Sequence, residues 1–216
     1  MNTADAALKF LRLALILGLC LTGACAIATE EPAFTVSLAQ GDCEVREYPA
    51  LVVAEVSVTG DRKVAASAGF RLLAGYIFGG NTARQKIAMT APVVQAPAAG
   101  QKIAMTAPVL QSGGDGQWVI RFIMPRGTTL ESLPRPNDPE VHLHAIAPAR
   151  MAVIRFSGLA RPDAIAANTA ALSAFITAQH LQAIGPVSLA QYDPPWKLWF
   201  LRRNELMIPV APAAQG

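Results

Sequence analysis

Hydrophobic and polar residues alternate along much of this chain, and the period changes at two places. In Leu51-Val52-Val53-Ala54-Glu55-Val56-Ser57-Val58, positions 52, 54, 56 and 58 are apolar while 55 and 57 are polar. That is the pattern of a strand with one buried and one wet face. The strand-like stretch covers 44–58, and Tyr48-Pro49-Ala50 divides it into two strands at a tight turn. Thr59-Gly60-Asp61 then supplies helix-start chemistry. Ala65, Ala68, Leu72 and Tyr76 follow at helical spacing, which predicts a helix over 62–77 that Gly79-Gly80 stops.

The next stretch, Gln85-Lys86-Ile87-Ala88-Met89-Thr90-Ala91-Pro92-Val93, recurs as Gln101-Lys102-Ile103-Ala104-Met105-Thr106-Ala107-Pro108-Val109. The copies are too short for solenoid repeats. They read as two strands of a meander joined by a loop over 95–100. Ile87, Met89, Ala91 and Val93 share one face, as do Ile103, Met105, Ala107 and Val109. Pro92 and Pro108 mark strand ends, an edge or a bulge, because proline cannot donate to a ladder. Gly113-Gly114-Asp115-Gly116 turns the chain into a further strand over 118–124, and 125–139 is a connecting loop rich in Pro, Asn, Asp and Gly.

The opening pattern then returns. Ala54, Val56, Val58 and Gly60 correspond to Ala152, Ile154, Phe156 and Gly158, and a helical pattern follows each glycine. The second helix begins at Arg161-Pro162-Asp163 and carries Ile165, Thr169, Leu172 and Ile176 on one face with Phe175 beside them. It ends before Gly185-Pro186. Strands over 187–192 and 199–209, with a turn at Asp193-Pro194-Pro195, close the chain. The expected fold is α+β, a distorted antiparallel β-barrel with two long helices and two pseudo-symmetric halves. The space between the halves is the natural ligand cleft.

Composition adds a leader and removes some functions. Lys9 and Arg12 precede an apolar run over 13–21 and then small residues, which is the layout of a secretory signal peptide over 1–28. Leu21-Thr22-Gly23-Ala24-Cys25 also resembles a bacterial lipoprotein signal, in which Cys25 would carry lipid. Either route predicts an exported protein, periplasmic or anchored to the membrane through Cys25. The remaining divisions are a short tail over 29–42, a domain over 43–210 and a C-terminal tail over 211–216. Cys43 then stands alone in the mature chain, so no internal disulfide is expected and a buried small side chain is its simplest role. The formal net charge is only +3 and no Lys/Arg run occurs, which argues against nucleic acid as a partner.

Candidate chemistry is sparse. His142 and His144 stand two apart on an expected strand and so point to one side. No other His or Cys shares their segment to complete a zinc site. His180 near the end of the second helix either favours the helix dipole or offers an axial iron ligand. No paired carboxylates, nucleotide loop or nucleophile motif appears, so no catalytic residue is assigned and binding is favoured over catalysis.

Several stretches together resemble the SOUL heme-binding proteins. They are Gly75-Tyr76-Ile77-Phe78-Gly79-Gly80-Asn81, the Lys86-Ile87-Ala88-Met89-Thr90-Ala91-Pro92-Val93 repeat, Gln191-Tyr192-Asp193-Pro194-Pro195-Trp196 and Arg202-Arg203-Asn204-Glu205. The resemblance implies the same distorted barrel and a heme or other tetrapyrrole as ligand, bound at an apolar surface beside a helix. Carried onto this chain, it suggests apolar contact from Leu72, Leu73, Tyr76, Met89 and Met105, with Lys63 or Arg71 meeting a carboxylate. The fold also resembles effector-binding domains of multidrug-responsive regulators, so a site for other flat lipophilic small molecules is a second expectation. A heme-modifying enzyme is a third.

Overall fold

The computed structural model describes residues 29–97 and 116–213. The described strands are β1 (Thr35–Gln40), β2 (Cys43–Tyr48), β3 (Leu51–Thr59), β4 (Val93–Pro97), β5 (Gln117–Ile123), β6 (His142–Ile146), β7 (Ala149–Ser157), β8 (Ser188–Gln191) and β9 (Arg203–Pro209). They form one antiparallel, curled sheet in the order β1-β2-β7-β9-β8-β4-β5-β3-β6. Helices α1 (Arg62–Ile77) and α2 (Pro162–Ala178) pack on the same face of it. The expected leader over 1–28 with Cys25, and the second repeat over 101–109 with Met105, lie outside the described residues.

Two halves meet at the β4–β8 pair. Outward from that seam, β4-β5-β3-β6 on one side answers β8-β9-β7-β2 on the other, and β1 extends one edge. The halves exchange their lead-in strands. β2 precedes β3 in the chain but pairs with β7, while β6 precedes β7 but pairs with β3. The turn at Pro49-Ala50 therefore hands the chain from one half to the other instead of closing a hairpin. The repeat read from the sequence is present at β3 and β7. Gly60 and Gly158 follow them at φ 137 and 100, a conformation that glycine adopts without a Cβ penalty.

Local chemistry explains the helix ends. Asp61 Oδ1 accepts from the backbone N–H groups of Lys63 and Val64 at 3.0 and 3.1 Å, an N-cap for α1. Pro162 opens α2, where its missing N–H costs nothing. Both helices finish in the same double hydrogen bond. Gly80 N donates to Gly75 O at 2.8 Å and Gly79 N to Tyr76 O at 3.3 Å; Leu181 N donates to Ile176 O at 2.9 Å and His180 N to Thr177 O at 3.1 Å. Glycine fills the left-handed position after α1, but His180, at φ 52, fills it after α2.

The buried stripe of α1 is Ala65, Gly69, Leu73, Tyr76 and Ile77, rotated from the expected Ala65, Ala68, Leu72 and Tyr76. The cause is Gly69. A Cβ there would collide with Ile120 Cγ1 and lie 2.9 Å from Ile120 Cβ. The helix settles onto the sheet at its residue without a side chain, and Leu73 turns fully into the core. Ala54, Val56, Ile120 and Phe122 complete that core, while Val45, Ala152, Leu189 and Leu206 meet Ile165 and Leu172 under α2.

Three expectations from the pattern are corrected. Residues 84–92 are not a strand. Asn81, fully buried, donates to Tyr76 O and Gln85 O at 3.0 and 2.7 Å and accepts from Gln85 N at 3.0 Å. Ile87 N donates to Ile77 O at 2.8 Å, and Thr90 Oγ1 donates to Ile123 O. These bonds tie the segment to the end of α1, and the strand starts only at Val93, after a cis Ala91–Pro92 bond. Residues 199–201 form a 3-10 turn, so the last strand begins at Arg203. The segment over 29–42 is not a tail. It supplies β1, and Glu30 bridges Thr90.

Candidate functional site

The outward side of α1 is the first candidate surface. Val64, Ala68, Leu72 and Gly75 follow one another at three- and four-residue spacing, which places them along one flank of the helix. Val64 is exposed, Ala68 and Leu72 are half-buried, and a Cβ at Gly75 would meet nothing within 4 Å. The row is open to solvent chiefly at Val64 and Gly75, while Leu72 packs in part against the core below. Arg71 and Lys63 stand exposed on the same helix, and among the described residues no ion pair engages either of them. Phe70 and Phe78 add exposed aromatic area, Phe70 edge-on to Phe122 at 5.3 Å between centroids. Met89 is half-exposed in the segment tied to the end of the helix. Leu73 and Tyr76 face inward. Tyr76 donates its hydroxyl to Pro134 O at 2.9 Å, and burial pushes its pKa up to about 12.

The opposite face of the sheet holds a buried charge cluster. Glu205, with no exposed surface, accepts from Arg46 Nη1 at 2.8 Å and Nη2 at 3.2 Å, from Arg203 Nη2 at 2.8 Å and Nε at 3.0 Å, and from Tyr192 Oη at 2.6 Å. Burial raises the Glu205 pKa, but Arg46, Tyr192 and Arg203 outweigh it and hold the carboxyl below its ordinary value. Burial also raises Tyr192, and the neighbouring carboxylate adds to it. The chain before β1 lies over this cluster. Glu31 accepts from Arg203 Nη1 at 3.0 and 3.1 Å, and Phe34 packs 4.3 Å under the Arg46 guanidinium and 5.3 Å from the Tyr48 ring. The pattern of Arg46 and Tyr48 on β2 with Arg203 and Glu205 on β9 was present in the sequence as alternating polar positions. Their meeting was not, because it depends on β7 lying between those two strands.

The histidines do not converge. His142 and His144 lie on β6 on the face of the sheet away from α1, where His144 Nε2 is 3.6 Å from Glu55 Oε2 and Arg121 pairs with the same carboxylate. His180 caps α2. Among the described residues no three His, Cys, Asp or Glu side chains group as a metal site. Cys43 is buried under α2, and burial raises its thiol pKa. A cleft of about 270 Å³ lies between the segment before β1 and the loop after β5, lined by Glu30, Pro32, Leu51, Thr90, Met124 and Arg126. That is below the ~300–1,000 Å³ of ordinary small-molecule pockets, so a tetrapyrrole would not be enclosed there.

The SOUL heme-binding protein family model matches residues 29–209. The chain belongs to the SOUL family. No curated protein matches it. Among solved structures, the C-terminal domain of EcmrR superposes with a TM-score of 0.58 at 9% identity, over 79% of this chain and 98% of that one. An uncharacterized conserved protein from Listeria innocua gives 0.55 at 13% identity, over 79% and 92%. A hydrolase from Listeria innocua gives 0.52 at 11% identity, over 81% and 94%. At these identities the likeness is one of fold. In this SOUL domain α1 carries Lys63 and Arg71 outward and Leu73 and Tyr76 inward, with half-buried Leu72 packed against the edge of the core, while the family match takes in the segment before β1 along with the rest of the sheet.

Proposed function

We propose that this protein binds heme or a related tetrapyrrole, as an exported binding protein rather than an enzyme. The observation that carries the reading is the SOUL family match across residues 29–209. The surface chemistry supports it. A porphyrin needs a flat apolar platform and cations for its carboxylates. The row Val64, Ala68, Leu72 and Gly75 offers the platform, Arg71 and Lys63 offer the cations, and Met89 stands near the far end of α1. Leu73 and Tyr76 hold that helix in place from beneath. No histidine accompanies this surface, so apolar contact rather than an iron–nitrogen bond carries the affinity.

The buried cluster weighs against a site for lipophilic cations. It offers such a ligand no free carboxylate, because Glu205 is already engaged by two arginines and a tyrosine. Export is proposed on the basic and apolar leader over 1–28, with processing before Thr29 or at Cys25.

Titration of the purified protein with ferric heme, free-base porphyrin and a lipophilic phosphonium cation, followed by absorbance and calorimetry, tests the reading. Heme and free-base porphyrin should bind within about tenfold of each other, a difference of about 1.4 kcal/mol, and the cation should bind far more weakly. Burying one large apolar side chain is worth roughly 1.5–3 kcal/mol, so Leu72→Asp should weaken porphyrin binding by at least that order. Arg71→Ala should cost only about 0–1 kcal/mol and reduce the salt dependence. Unchanged affinity in both folded variants would move the site away from α1. Loss of the heme band in a folded His142→Ala, His144→Ala or His180→Ala variant would show that iron ligation leads.

A further inference from the structure

The excursion between β8 and β9 inverts the usual order of a surface loop. It leaves the sheet where Gln191 pairs with Asn204. Trp196, Leu198, Trp199, Phe200 and Leu201 are each more than half exposed, Trp196 at 83%. At ~150–250 Å² per aromatic side chain, this tip presents on the order of 500 Å² of apolar surface, as much as the largest patch on an ordinary monomer. The polar groups of the same loop turn inward. Asp193 accepts from Lys197 Nζ and from Arg203 N, both at 2.6 Å. Arg202 donates from Nε to Lys197 O at 2.9 Å and from Nη2 to Pro195 O. Leu201 N donates to Leu198 O at 3.0 Å, and the Trp199 and Phe200 rings meet edge-on at 5.6 Å. The loop is held rigid with its apolar side chains outward.

Cations stand around it. Gly158 N donates to Arg202 O at 3.2 Å, which brings the segment with exposed Leu159 and Arg161 alongside. Of the acids near it, Asp193 is neutralised by Lys197, Glu31 pairs with Arg203, and Asp163 lies in the first turn of α2.

We propose that residues 196–201 form a lipid-contact tip that enters the headgroup–acyl boundary of a bilayer containing anionic lipid. Tryptophan beside leucine and phenylalanine suits that boundary, and exposed Arg161 together with Arg202, which is held by carbonyls rather than by a carboxylate, complements anionic headgroups. A stable protein partner covers about 800 Å² on each side, more than this narrow tip offers, whereas insertion at a bilayer needs the tip alone. The proposal uses different residues from the α1 surface and stands independently of the tetrapyrrole reading.

The test uses the chain from Thr29, the processed start proposed above, so that neither the apolar leader nor an acyl chain at Cys25 contributes, and vesicles of phosphatidylcholine with a quarter phosphatidylglycerol. Two of the three tryptophans lie in the tip, so intrinsic fluorescence reports on it directly. Vesicles should shift the emission to the blue, and brominated acyl chains should quench it. Trp196→Phe with Trp199→Phe should keep vesicle binding but lose the quenching, because Trp118, bonded through Nε1 to Gly60 O, is then the remaining emitter. Trp196→Ser, Trp199→Ser and Phe200→Ser together should lower partition at least tenfold with an unchanged melting curve. The proposal is overturned if the parent emission is unquenched, if the serine variant partitions like the parent, or if pure phosphatidylcholine binds equally well. A lipid-free dimer that the serine variant dissolves also overturns it, since the tip then belongs to a second copy of the chain.

Discussion

His180 and Glu205 show how much a single residue's setting decides. His180 was a candidate ligand by residue type, but its backbone holds the left-handed position that ends α2, the position Gly79 fills after α1. A non-glycine residue there costs about 1–2 kcal/mol, and glycine returns part of that as unfolded-chain entropy, about 0.5–1 kcal/mol. His180→Gly should therefore raise stability by roughly 0.5–1 kcal/mol, read as a higher urea midpoint with an unchanged slope. Glu205 lies at the other extreme. Removing one partner of a buried, hydrogen-bonded ion pair costs about 3–5 kcal/mol, so Glu205→Gln should destabilise by that order at neutral pH. Its folded pKa lies below the ordinary carboxylate value. Its contribution is therefore complete above the unfolded pKa and is lost as pH falls through the lower folded value. The gap between parent and variant in urea melts should close on acidification through that range. A constant gap would place the stabilisation elsewhere.

At the scale of elements, legibility followed the strength of the local signal. The bounds of α1 were readable because Asp61 caps it and Gly79-Gly80 ends it, and the split of β2 from β3 was readable at Pro49. The face of α1 was not, because Gly69 scores as neutral in a hydrophobic pattern while sterically it lies so close to Ile120 that a Cβ would not fit. Gly69→Ala should cost about 1–3 kcal/mol through overpacking against Ile120 and Val56, whereas Gly75→Ala, with open space around its Cβ, should leave stability unchanged or raise it. Thermal melts of the two variants give a direct comparison. The alternation over 85–93 misled for a related reason. Period two is shared by strands and by chance, and here Asn81 and the end of α1 supply the hydrogen bonds that a strand would take from a neighbour. Exposed apolar residues over 196–201 carried the same ambiguity, since a run of Trp, Leu and Phe reads as buried strand until its neighbours are known.

At the scale of the whole molecule, the duplication was legible at β3 and β7, but the exchange of β2 and β6 between halves was not, because pairing across the sheet leaves no local trace. The same exchange gives the segment before β1 its purpose. β2 is carried into the second half, where Arg46 and Tyr48 meet Glu205 and Arg203, and Glu31 and Phe34 close over that cluster. Glu30 extends the closure, accepting from Ala91 N at 2.8 Å through its carbonyl and from Arg126 N at 2.8 Å through Oε1. A chain that starts at Thr35 keeps β1 but loses all of these contacts, uncovers the Phe34-covered side of Arg46, and leaves Arg203 with a carboxylate fewer. The loss of one half-buried aromatic residue and several charge-assisted hydrogen bonds amounts to roughly 2–4 kcal/mol. Comparison of chains starting at Thr29 and at Thr35 by urea denaturation should show that difference. The double change Glu31→Ala with Phe34→Ala in the longer chain should recover most of it. If both shortened and substituted chains unfold at the parent midpoint, the segment is a passenger. If the shortened chain alone is weakened, the Glu30 bridge to Thr90 carries the closure rather than the contacts with the arginines.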